Sequence, residues 1–330
     1  IINKKGEFLE KVSALDSVGG WFSHLFEYIS GSLKEVTFEV YALEDIKAAD
    51  GESEDYYKKD DLIATITTDE TGVAKLTDLP LGKYYVKEKE TANGYVLDGT
   101  AREIDLTYRD QDTAEVTYSS DWQNNRQKAE VKVLKKEKDS DRVLEGAVFA
   151  LCNKEDIVNA NGDVILKADT VIEEQATDKE GKLTFTADLP ISYTYYVKET
   201  SPAPGFATTD QVQEFTFEYD GADKETLSYE FTFEDEPTVV EITKTSLTDG
   251  KELEGAKLEV TDEDGKVVDS WTSGKEAHII KELVAGKKYT LTETKPADGY
   301  VTAESITFTV EDSSKAQKIE MKDDVTKVQI

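Results

Sequence analysis

One order of landmarks recurs three times along the 330 residues, and that repetition restricts the chain to an array of like modules. An aliphatic strand with a lysine comes first, then a Leu-x-x-[Ala/Val] strand start, a hairpin, a Tyr-x-aliphatic-x-Glu strand, a Gly-aromatic turn and a closing strand. The strand starts are Leu33-Lys34-Glu35-Val36, Leu144-Glu145-Gly146-Ala147 and Leu253-Glu254-Gly255-Ala256. The Glu strands are Tyr84 to Glu88, Tyr195 to Glu199 and Tyr289 to Glu293, and the turns are Asn93-Gly94-Tyr95, Pro204-Gly205-Phe206 and Asp298-Gly299-Tyr300. Between landmarks apolar and polar residues alternate over short runs rich in Val, Ile, Thr, Tyr and Phe, as half-buried strands require. Turn signals at Thr68 to Gly72, Thr177 to Gly181 and Asp262 to Gly265 punctuate them. The sequence therefore predicts an all-β chain of three tandem Ig-like β-sandwich modules, at residues 1-125, 126-237 and 238-330. Linkers this short imply an elongated, stiff array.

Module one carries an insertion at about 10-32, where Trp21-Phe22-Ser23-His24-Leu25-Phe26-Glu27-Tyr28-Ile29 fits helical as well as strand spacing. Exposed apolar patches that large are unusual. The expectation is a short helix or strand pair packed on its own sandwich; the alternative is an aromatic surface for a ligand.

With 39 basic and 70 acidic residues the formal charge is -31, which repels nucleic acid and anionic membrane surfaces. The single Cys152 cannot form an internal disulfide and sits in an apolar run, as a small buried hydrophobe does. His24 and His278, the two histidines, offer no zinc cluster, so no metal or cofactor is expected. Asp50-Gly51-Glu52 and Asn159 to Asp163 lack the spacing of a calcium loop and read as turns. No apolar run reaches the roughly 18 residues of a membrane span and no charged leader is present. A chain opening directly on a strand is expected to be a piece of something larger, with no membrane insertion of its own.

Strand parity puts charges on core faces, because successive side chains point to opposite sides. The opening strands align Ile2 with Lys4, Val131 and Val133 with Lys135, and Val240 and Ile242 with Lys244. The Glu strands align Tyr84 and Val86 with Glu88, Tyr195 and Val197 with Glu199, and Tyr289 and Leu291 with Glu293. The closing strands align Tyr118 and Trp122 with Asn124, Phe231 and Phe233 with Asp235, and Ile319 and Met321 with Asp323. Lys5 and Asn125 compete for two of these places; parity selects Lys4 and Asn124.

A strand end often tips one polar side chain to water, but three modules repeating Lys, Glu and Asn or Asp in one order call for another account. Isolated buried charges cost several kcal/mol, so such groups must neutralise, pair or react. An apolar pocket favours a neutral amine, a nucleophile, and a neutral glutamic acid. Hydrogen-bonded to the Asn or Asp carbonyl, that acid polarises the carbon and passes a proton to leaving ammonia or water. The product is a neutral secondary amide, formed once per module by proximity.

These residues resemble the Cna-B (SpaA-like, prealbumin-like) modules of Gram-positive pilins and adhesins over essentially the whole chain. The resemblance is carried by Val131-Lys132-Val133-Leu134-Lys135 with Leu144 to Ala147, by the strand ending in Glu199, and by Asp235-Glu236-Pro237. Lys244, Glu293 and Asp323 carry it in module three; module one has a Lys-Lys-Gly-Glu start and closes on Asn124 to Lys128. It implies isopeptide bonds from Lys4 to Asn124, Lys135 to Asp235 and Lys244 to Asp323, with Glu88, Glu199 and Glu293 as proton shuttles. It further implies an extracellular stalk or pilus segment, partnered by other subunits or modules and anchored to the cell wall through a sorting signal outside these residues. Such a chain is no enzyme beyond its single-turnover self-reaction. Aspartate acceptors in modules two and three depart from the commoner asparagine. A host-ligand adhesin, binding a matrix protein through the insertion or an inter-module groove, is the alternative.

Overall fold

A computed structural model describes residues 1–15, 23–48 and 50–327. Module one contains β1 (Ile2–Leu15), β2 (Ser23–Ser32), β3 (Thr37–Ala42), β4 (Leu62–Thr67), β5 (Val73–Ala74), β6 (Gly82–Glu90), β7 (Arg102–Leu106) and β8 (Ser120–Gln123). Module two contains β9 (Lys128–Glu137), β10 (Val148–Asn153), β11 (Ile157–Val158), β12 (Val164–Leu166), β13 (Val171–Ala176), β14 (Lys182–Phe185), β15 (Tyr193–Ser201), β16 (Val212–Phe217) and β17 (Thr226–Asp235). Module three contains β18 (Val239–Ser246), β19 (Lys257–Thr261), β20 (Val267–Thr272), β21 (His278–Lys281), β22 (Lys288–Lys295), β23 (Ile306–Thr309) and β24 (Gln317–Asp323). The described residues are all-β, in three tandem sandwiches.

Module three shows the plan most plainly. A sheet ordered β21-β18-β24 faces one ordered β20-β19-β22-β23, and Val240, Ile242 and Met321 of the first bury against Leu258, Val260 and Leu291 of the second. Modules one and two repeat it with β5-β1-β8 over β4-β3-β6-β7, and β14-β9-β17 over β13-β10-β15-β16. In every module the opening and closing strands are parallel neighbours. The chain thus enters and leaves each sandwich along one pair of strands.

The insertion departs from expectation. It is a strand pair, the far half of β1 antiparallel to β2, but it packs on module two and not on its own sandwich. A bulge between Leu9 and Lys11 shifts parity so that Leu9, Val12, Phe26 and Tyr28 share a face. Phe26 is 3% exposed within the module-two core, with Leu9, Val12 and Tyr28 packed around it. Ser23 pairs with Glu173 of β13, which fuses β5-β1-β2 and β13-β10-β15-β16 into one continuous sheet. The physical reason lies in β13, whose edge would otherwise present unpaired backbone groups. Trp21 and Phe22 fall outside the described residues.

Arg126, between modules, secures the joint: its guanidinium lies 3.4 Å from the Tyr28 ring centre and donates to Glu7 and Asp188. At the second joint Arg142 donates both terminal nitrogens to Glu282 at 2.6 and 2.9 Å. The Thr208 amide and hydroxyl reach the Asp312 carboxylate.

Candidate functional site

Register brings the three polar groups of each module together. Parallel pairing sets Lys4 beside Trp122, Lys135 beside Phe233 and Lys244 beside Met321, so Asn124, Asp235 and Asp323, two residues further on, lie on the lysine's face. On the facing sheet Glu88 pairs with Phe38, Glu199 with Phe149 and Glu293 with Leu258. Each glutamate therefore projects into the same interior as the lysine.

The backbone around each lysine is pinned by the repeat's other landmarks. The amides of Leu33, Leu144 and Leu253 donate to the carbonyls of Lys4, Lys135 and Lys244. Lys4 and Lys135 in turn donate to Gly72 and Gly181. Both glycines have positive φ, and a Cβ on either would sit 2.6 Å from the lysine carbonyl oxygen, so no other residue fits there. Acceptors are held in the same way: the amides of Gln127, Thr238 and Thr326 donate to the carbonyls of Gly94, Gly205 and Gly299 in the Gly-aromatic turns.

All nine side chains are buried, the lysines to 2% exposure or less and the glutamates to 6% or less. In module one Lys4 Nζ donates to Asn124 Oδ1 at 2.5 Å and to Glu88 Oε2 at 2.7 Å. Asn124 Nδ2 donates to Glu88 Oε1 at 2.5 Å and to Thr91 Oγ1 at 2.7 Å. In module two Lys135 Nζ donates to Asp235 Oδ1 and stands 2.9 Å from Glu199 Oε1. In module three Lys244 Nζ donates to Asp323 Oδ1 and stands 3.0 Å from Glu293 Oε1. Lys5 and Asn125, the competing candidates, are exposed.

Burial shifts four of these groups. It pulls the Lys4 ammonium below its ordinary value, against the opposing hydrogen bond that Lys4 donates to Glu88. It pushes Glu199 up to about 7 and raises Asp235 and Asp323. Asp235 Oδ2, Asp323 Oδ2, Glu199 Oε1 and Glu293 Oε1 are buried without a hydrogen-bond partner, a cost that an unreacted cluster would have to carry. The arrangement in module one corrects one expectation: Glu88 contacts the lysine amine and the amide nitrogen, not the amide carbonyl. Oδ1 faces the Lys4 donor, and the two Nδ2 hydrogens then face the acceptors Glu88 Oε1 and Thr91 Oγ1.

Several residues that serve the site were not singled out from sequence. Thr68, Thr177 and Ser273 are buried hydroxyls whose oxygens accept the amides of Val36, Ala147 and Ala256, tying each Leu-x-x-[Ala/Val] segment to the facing sheet. The signal was a Ser or Thr after the hairpin. In module three it lies at Ser273, whereas Asp262 to Gly265 forms the β19–β20 hairpin turn. Asp50 and Asn159 accept amides two to four residues ahead, as turn residues do. Cys152 is fully buried and burial raises its thiol. The described part of the insertion turns Phe26 and Tyr28 onto module two, which leaves Leu25 and Ile29 as its large apolar groups at the surface.

The model of the SpaA prealbumin-like fold domain matches residues 29–122, 129–231 and 238–325. This chain belongs to the SpaA prealbumin-like domain family. The SpaA prealbumin-like matches take in Glu88, Lys135, Glu199, Lys244, Glu293 and Asp323 but stop short of Lys4, Asn124 and Asp235, whose positions rest on the geometry above. No curated protein matches the chain. Among solved structures, the Bacillus anthracis TIE protein is 24% identical over 92% of this chain, with a TM-score of 0.56. The chain spans 55% of that protein's length. The major pilin subunit BcpA of Bacillus cereus is 16% identical, covers 98% of both chains and has a TM-score of 0.45. The shaft pilin SpaA from Lactobacillus rhamnosus GG is 17% identical over 62% of this chain and all of that one, with a TM-score of 0.28.

Proposed function

We propose that this chain is a load-bearing structural segment of a Gram-positive surface protein, of the stalk or pilus kind, closed in each module by one intramolecular isopeptide bond. The bonds join Lys4 to Asn124, Lys135 to Asp235 and Lys244 to Asp323. The observation that carries the reading is the threefold recurrence of a buried lysine amine hydrogen-bonded to a buried carboxamide or carboxyl and within 3.0 Å of a buried glutamate oxygen. Retaining three such ionic clusters unreacted would be costly, since desolvation offsets most of a buried pair's attraction.

The chemistry follows from the contacts. The neutral Lys4 amine attacks Asn124 Cγ; as the Nζ–Cγ bond forms Nζ gives one proton to Glu88 Oε2, Glu88 Oε1 gives one to Nδ2, the Cγ–Nδ2 bond breaks and ammonia leaves. In modules two and three the acceptors are carboxyls favoured in the neutral form by burial, and water leaves. The self-reaction occurs once and acts on no outside substrate. Membership of the family supports a structural role with other modules or subunits of one surface assembly as partners, anchored through segments beyond these residues.

Intact-mass spectrometry of the folded protein tests the reading. Loss of one ammonia and two waters lowers the mass by about 53 Da, each bond being one condensation. A mass equal to that of the unmodified sequence would remove the proposal.

A further inference from the structure

Module one differs from the other two at one place beside the reacting atoms. Three residues after the glutamate stands Thr91, where modules two and three have Pro202 and Pro296. Thr91 Oγ1 accepts the second hydrogen of Asn124 Nδ2 at 2.7 Å, while the first goes to Glu88 Oε1. The module with an amide acceptor thus has a hydroxyl at this position. The modules with acid acceptors, which have no N–H to offer, have a ring with no polar atom.

We infer that Thr91 is a specificity-determining residue for the amide reaction, holding the departing nitrogen of Asn124. The inference rests on the cross-linking reading above. Two acceptors on Nδ2 fix the carboxamide so that Oδ1 faces Lys4 and the nitrogen faces Glu88. When Glu88 delivers its proton, Nδ2 gains positive charge, and an oxygen already in contact stabilises that charge without reorganisation. The balance is unchanged: Nζ–Cγ forms, Cγ–Nδ2 breaks, and the proton lost by Nζ leaves on ammonia. Lys4 and Asn124 are 1% exposed and Glu88 4%, whereas Thr91 is only half-buried, so its side is also the way out for ammonia. Pro202 and Pro296 occupy the same half-buried place and offer no side-chain acceptor.

The test follows bond formation in the full chain, refolded from denaturant, by timed digestion and mass spectrometry of the Lys4–Asn124 cross-linked peptide. Thr91→Val should form it about tenfold more slowly, the effect of one hydrogen bond lost from the transition state. Thr91→Ser, which keeps the hydroxyl, should stay within about twofold of wild type. A Val variant as fast as wild type, or a Ser variant as slow as Val, overturns the inference. Module two supplies a second arm that does not depend on how Thr91→Val folds. Asp235→Asn with Pro202→Thr should react faster than Asp235→Asn alone, and equal rates would refute the assignment. If wild type itself never forms the Lys4–Asn124 bond, the cross-linking reading falls, and this role with it, before any variant is compared.

Discussion

Ser23 of the module-one hairpin pairs with Glu173 of module two, and through that rung two sandwiches share one sheet. Glu173 is itself fixed, accepting the amides of Thr186 and Ala187 and the Thr186 hydroxyl, so the hairpin docks on a rigid edge. Module two therefore borrows part of its core. Phe26→Ala should destabilise module two by about 3 kcal/mol, as truncation of a buried aromatic does, although the residue belongs to module one. Ile29→Ala, on the hairpin's exposed face, should have little effect. Hydrogen exchange in β13 is the readout, and unchanged protection in Phe26→Ala would mean that the docked hairpin does not hold in solution.

Glu88 touches both the amine and the leaving nitrogen, so its removal separates folding from bond formation. Glu88→Ala should fold and retain the full mass of module one, with Lys4 and Asn124 recovered as unmodified residues in a digest. Its unfolding transition should fall by about 4 to 5 kcal/mol through the lost loop constraint, by analogy with a disulfide closing a loop of this length. The loop from Lys4 to Asn124 spans 120 positions. A cross-linked peptide found in Glu88→Ala would show that the glutamate is dispensable for proton transfer.

Lys135→Met leaves Glu199 and Asp235 buried with no cation, and a pH dependence follows. Burial raises both carboxyls, Glu199 to about 7 even with the lysine present. The folded state therefore binds their protons more tightly than the unfolded chain does, whose carboxyls titrate near about 4. Stability is fully present below that range and is lost as the pH rises through about 7, with a slope of up to about 1.4 kcal/mol per pH unit for each proton. Adding Glu199→Gln should remove much of the slope, and the cross-linked wild type, in which Asp235 has become an amide while Glu199 keeps its buried carboxyl, should retain only the Glu199 part. Denaturation midpoints of Lys135→Met that agree at about pH 5 and about pH 8 would contradict the assigned burial.

How much of this was readable from residues alone depended on which interactions a local pattern encodes. Val131, Val133 and Lys135 alternate with solvent-facing neighbours, so period-two parity fixes the lysine's side; the same holds for Tyr195, Val197 and Glu199. Parity failed at the insertion, where the bulge between Leu9 and Lys11 changes which residues share a face. Nothing local to Phe26 states which module covers it. Thr91 escaped notice because its partner lies 33 positions away and a lone threonine after a strand is ordinary turn chemistry. The equivalence of Ser273 to Thr68 and Thr177 is likewise a fact of cross-strand hydrogen bonds, which spacing does not encode.

The last prediction is mechanical. Opening and closing strands are parallel neighbours in every module, so a pull on the two ends of the chain meets each lysine and each acceptor before it reaches the rest of the sandwich. With the bonds in place tension passes from strand to strand through the amide, and stretching a single wild-type molecule should extend no module. Lys135→Ala should release the loop between positions 135 and 235, a span of 100, which at about 3.5 Å per residue is roughly 350 Å of contour length. Lys244→Ala should release a shorter length, its loop spanning 79 positions. Lys4→Ala has a further consequence, because the hairpin that completes module two lies inside the loop closed by Lys4 and Asn124. Once module one extends, Phe26 is drawn out of the module-two core, so β13 should lose protection under load even with the Lys135–Asp235 bond intact. Full unfolding of the wild type at ordinary sandwich forces would remove the load-bearing role. Extension of Lys4→Ala without any change in module two would separate that role from the sharing of one sheet.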